Sequence, residues 1–64
     1  MFGWTYLDEN GEDVGDSQHF DDRETAEEWM GQSWESLAGF GVEQVVLRDR
    51  RDGSIVFRMG LEPG

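Results

Sequence analysis

The sequence predicts an α+β domain of order ββαββ, a four-stranded antiparallel sheet built from two hairpins with one amphipathic helix packed on one face. Three observations carry this expectation. Apolar residues alternate at both ends of the chain, an Asn-Gly and an Asp-Gly turn interrupt those ends, and a helical apolar stripe lies between them. A sheet with one apolar face and a helix with one apolar stripe bury both most simply against each other.

The first strand is read over Phe2 to Leu7, where Phe2, Trp4 and Tyr6 alternate with Gly3, Thr5 and Leu7. Asp8-Glu9-Asn10-Gly11-Glu12 follows, and Asn-Gly is a strong hairpin signal because both residues tolerate positive φ. Asp13 to His19 returns as a polar strand suited to a sheet edge, where charge discourages edge-to-edge association.

The helix is read over Arg23 to Ala38. Asp21 or Asp22 is placed to accept from free amides of the first turn, with Glu24 three residues after Asp21, and Phe20 to act as a hydrophobic staple. Glu24, Glu27 and Glu28 fall early in the helix, where its dipole favours negative charge. Ala26, Trp29, Met30, Ser33, Trp34 and Leu37 share one side. Gly39 is expected as the left-handed cap, with Phe40 making the hydrophobic contact beyond it.

The last two strands are read over Val42 to Arg50 and Ser54 to Leu61, joined at Arg51-Asp52-Gly53. A two-residue loop would mix the two faces. A three-residue loop with Gly53 in a bulge pairs Leu47 with Phe57 and Val45 with Met59, and puts Ile55 and Leu61 on the same face. It leaves Val46, Arg48, Val56 and Arg58 facing away from the helix.

Sixty-four residues support a single domain, residues 1–64. Leu, Ile, Val and Phe total 14 residues, just above the roughly 20% below which a highly charged chain stays disordered. The periodic placement of those residues and the eight aromatics argue for a folded domain of moderate stability. With no cysteine, disulfides and thiol chemistry are excluded. No apolar run approaches the ~20 residues of a membrane span, and no charged start leads into a signal-peptide core, so a cytoplasmic product is the expectation.

The formal charge is −10, which argues against direct nucleic-acid binding. That charge is not uniform. Residues 1–44 carry twelve acids and one Arg, whereas residues 45–64 carry three acids and four Arg. The final hairpin is therefore mildly basic.

The run Ala26-Glu27-Glu28-Trp29-Met30-Gly31-Gln32-Ser33-Trp34 is followed by Leu37, Gly41-Val42, Val45 and Leu47. Together with Trp4 and Met59-Gly60-Leu61, it resembles short acidic single-domain proteins of actinobacterial type, a bacterial group without an established function. The resemblance implies a shared aromatic and apolar core rather than a catalytic kit, and it transfers no functional residue.

Candidate chemistry is sparse. The loop Asp8 to Asp13 invites a calcium reading, but Asp13 stands where an EF-hand loop needs Gly and His19 where it needs the bidentate Glu. His19, with Asp16, Asp21 and Asp22 nearby in sequence, offers a general-base pair, yet no serine lies in a nucleophile context. No metal, catalytic residue or cofactor is therefore assigned. Core packing accounts for Trp29 and Trp34.

The leading expectation is a non-enzymatic protein-interaction module whose contacts are Arg48, Arg58, Val46 and Val56. Arg suits this role because its planar fork binds carboxylates and stacks on aromatics. Self-association into a homodimer through the same face is a close variant. The alternatives are an acidic nucleic-acid mimic that binds a DNA-binding protein through Glu24, Glu27 and Glu28, and a small-ligand domain bordered by His19.

Overall fold

Alternation and turn chemistry produce the expected elements in the expected order. The computed structural model describes residues 1–61 and contains β1 (Phe2–Leu7), β2 (Asp13–Phe20), α1 (Arg23–Gly39), β3 (Gln44–Asp49) and β4 (Ile55–Gly60). The four strands form one antiparallel sheet of order β2-β1-β3-β4. The acidic β2 is an edge, as its composition predicts. The two N-terminal strands of the hairpins, β1 and β3, form the centre.

The core lies between the sheet and α1. Trp4, Phe20, Ala26, Met30, Val42, Val45, Leu47 and Leu61 are buried together, with Trp29, Trp34, Leu37, Phe57 and Met59 packed around them. Trp4 faces Leu47 across β1 and β3, meets Phe57 edge-on at 6.4 Å and donates its indole N–H to the Ala26 carbonyl at 2.9 Å. Phe20 closes the helix entry by packing on Trp29, ring centroids 5.5 Å apart. Asp22 is the N-cap, accepting from the Thr25 amide at 2.7 Å.

Three local expectations are corrected. In the turn of the first hairpin only Gly11 has positive φ, +78°, and among the described residues no non-glycine residue does. Asp8 accepts from Gly11 N–H and donates its own N–H to Glu12, which defines a three-residue loop with glycine in the left-handed position. Asn10 therefore needs no left-handed backbone. The Asp8 carboxylate holds the turn by accepting from the amides of Asn10 and Glu12.

The helix runs through Gly39, and its left-handed cap comes two residues later than expected. Phe40 is the C-cap and Gly41, with φ +92°, is the left-handed residue. Gly41 N–H bonds Ala38 and Val42 N–H bonds Leu37. This double closure requires a positive φ at Gly41 and brings Val42 back over the last turn. Val42, not Phe40, is the buried partner, and Phe40 is 85% exposed.

In the second hairpin the pairs Val45–Met59 and Leu47–Phe57 form as expected, but the loop has four residues. Gly53 N–H bonds the Asp49 carbonyl and Asp49 N–H bonds Ser54. The extra residue is absorbed further along, between Leu47–Phe57 and Arg48–Ile55, which makes Val56 the bulged residue. Ile55 consequently pairs with Arg48 and is 52% exposed, whereas Val56 is half-buried against the core. The two residues have exchanged the sides assigned from sequence. A one-residue shift inverts faces, and here the bulge moved from Gly53 to Val56.

Candidate functional site

The sheet face away from α1 is read directly from the register, because directly opposed residues share a face. One row runs Asp16–Thr5–Val46–Arg58 and the next His19–Gly3–Arg48–Ile55. Each row passes from an acidic or imidazole group on β2, over two central residues, to the arginine-bearing β3–β4 side.

The middle of this face is sealed by its own side chains. Val46 is 1% and Thr5 4% exposed, although no helix lies above them. Around Val46 the register places Arg58 and Thr5, with Gln44 and Arg48 before and after it. Arginine stems cover apolar neighbours while their charged heads remain in water. Gly3 has a specific role. A Cβ there would stand 2.8 Å from Arg50 Nε and 3.3 Å from His19 Cδ2, so the absent side chain lets Arg50 cross β1 and meet Asp16 at 3.5 Å.

Of the four contacts expected from sequence, Arg58 is exposed, Arg48 is half-buried and both belong to the outer face. Val46 belongs to that face but lies beneath its neighbours, and Val56 packs on the core. Ile55 supplies the exposed apolar group instead. Sequence reasoning missed Gly3, Arg50 and Asp16 as one unit. Its only sequence signal was a glycine between Phe2 and Trp4 in the first strand.

The His19–carboxylate pairing weighed in the sequence, from which no catalytic residue was assigned, has the following geometry. Asp16 pairs with Arg50, Asp22 caps the helix, and among the described residues no ion pair joins His19 to a carboxylate. Burial, followed by the charge of Asp16, raises the Tyr6 phenol above its ordinary value. Among the described residues no group of three or more His, Cys, Asp or Glu side chains is placed to hold a metal ion. An open cleft of about 560 Å³ at one end of the sheet is lined by Asp8, Glu9, Gly11, Glu43, Gln44 and Gly60.

A second surface follows from the position of the helix. α1 packs over β1 and β2, which leaves a groove of about 150 Å³ between α1 and β4, lined by Trp4, Glu27, Met30, Gly31, Phe57 and Met59. Arg23 crosses one part of it, 5.6 Å above the Phe57 ring, and also bonds Glu27 at 3.1 Å. No family model, curated protein or solved structure matches the chain.

Proposed function

We propose that the chain is a small non-enzymatic protein-interaction module that docks an acidic protein surface through the outer sheet face, with Arg48, Arg58 and Ile55 as the contacts. One observation carries this reading. Among the described residues no layer covers the face, and it gathers arginines in a molecule whose net charge is −10. Arg48 is half-buried and so loses less freedom on binding, which favours charge-assisted bonds to a carboxylate.

Capture of partners at native expression tests the reading. Wild type is expected to retain one specific protein, and the Arg48→Glu/Arg58→Glu double variant to lose it. Retention by the double variant, or loss on neutralising Glu24 and Glu28 instead, would overturn the reading in favour of the acidic helix. Sedimentation of both forms addresses the homodimer variant: monomers in both eliminate it.

A further inference from the structure

The two sheet edges differ. β2 is interrupted by two register shifts and carries Asp13 and Asp16, the devices that keep an edge from pairing. β4 has one shift, near its turn, and runs in regular register from Phe57 to Gly60. Asp49 N–H bonds Ser54 and Leu61 N–H bonds Glu43. By the alternation of an antiparallel ladder, Phe57 and Met59 then bond β3, while the amides and carbonyls of Arg58 and Gly60 point to the open edge. Beside this edge, on the core side, lies the groove of Met30, Phe57 and Met59.

We propose that the free edge of β4 accepts an extended partner segment as a fifth strand, acidic where it lies beside Arg58 and apolar where it enters the groove between α1 and β4. This deepens the interaction-module reading and rests on it, naming the mode of docking and the pattern recognised. Side chains of an added strand alternate between the two faces. On the outer face their neighbour is Arg58, with Arg48 one strand further in, which selects carboxylates. On the core face their neighbours are Phe57 and Met59, with the Arg23–Glu27 ion pair at the rim, which selects apolar groups. A second copy is a poorer occupant. Its β4, centred on Arg58, would set like charges directly opposite, and its β2 is broken by bulges.

The probe is an acetylated, amidated heptapeptide alternating glutamate with leucine or valine, beside a version with lysine in place of glutamate. NMR of the labelled protein is expected to show slowed amide exchange at Arg58 and Gly60 with the glutamate peptide and not with the lysine peptide. Gly60→Pro removes one edge donor without changing charge, and Pro is tolerated on an edge where its nitrogen faces solvent. Gly31→Leu fills the groove from a position where a Cβ meets nothing within 4 Å, and it favours the helix. Each is expected to weaken binding about tenfold, the scale of one lost net hydrogen bond or one blocked apolar contact. Unchanged exchange at millimolar peptide, binding that survives both variants, or protection that rises with protein concentration alone would overturn the proposal. Partner capture that survives Gly60→Pro and Gly31→Leu but not Arg48→Glu/Arg58→Glu rejects edge docking and keeps the outer-face reading. The reverse pattern rejects the outer-face reading and, with it, the acidic half of the recognised pattern, and leaves edge pairing through the backbone and the groove.

Discussion

The indole nitrogen of Trp4 donates to the backbone carbonyl of Ala26 at 2.9 Å, with both residues fully buried. This bond ties the central strand to the first turns of α1. Because the Ala26 carbonyl lies inside the helix, it also has the helical ladder as a partner, so removing the indole leaves no orphaned acceptor. Trp4→Phe is therefore expected to cost about 1–3 kcal/mol, from the lost bond and reduced packing, and Trp4→Ala about 3–5 kcal/mol. A domain of this size has roughly 3–10 kcal/mol in total. Urea titration should show a cooperative but weakened transition for the first variant and a largely unfolded baseline for the second.

Ser17 supports the same residue from the other side. The bulge in β2 leaves Trp4 without a paired residue on that strand, and its N–H donates instead to Ser17 Oγ at 2.9 Å. Ser17→Ala strands a part-buried donor and is expected to cost about 1–2 kcal/mol. Ser17→Thr, which keeps the hydroxyl, should recover most of it. Equal thermal midpoints for the two variants would contradict this role.

The helix stop makes two glycines behave oppositely. Gly39 is helical and a Cβ there meets nothing within 4 Å, so Gly39→Ala should stabilise by up to about 1 kcal/mol through helix propensity. Gly41 has φ +92°, so Gly41→Ala should destabilise by about 1–2 kcal/mol. Thermal melts of the two variants are expected to shift in opposite directions.

Acid and alkaline limbs of stability have separate origins. Backbone amides of Thr25, Arg51 and Ser54 donate to the carboxylates of Asp22, Asp49 and Asp52 and hold each below its ordinary value. The folded state prefers these groups ionised, so their contribution is present above about pH 4 and is lost as pH falls through their lowered values. Tyr6 is shifted the other way, by burial first and Asp16 second. Its contribution is complete below its ordinary value of 10.0 and is lost as pH rises beyond it. Thermal midpoints across pH should show a shallower alkaline limb in Tyr6→Phe and a shallower acid limb in Asp22→Asn, which caps without titrating.

The candidate site was less legible than the fold. Arg48 and Arg58 could be placed on the outer face because the pairs Val45–Met59 and Leu47–Phe57 follow from keeping apolar residues together. Ile55 and Val56 could not, since they are adjacent apolar residues and either can face inward. The choice depended on where the extra residue of the hairpin was absorbed, a difference that composition does not encode. Val46 looked like a contact because an outward position in a two-layer fold is usually solvated, yet long neighbouring side chains bury it.

Periodicity, caps and turn residues by themselves determined the five elements, their order, the single buried stripe of α1 and the polar character of β2, because each depends on spacing within a few residues. Only the tertiary structure decided that β1 and β3 lie at the centre, that Gly41 rather than Gly39 is the left-handed cap of α1, that Arg50 crosses Gly3 to reach Asp16, and that among the described residues β4 keeps an open edge beside an apolar groove. These depend on contacts between residues far apart in sequence. There packing and backbone hydrogen bonding across the sheet choose among local conformations of similar energy.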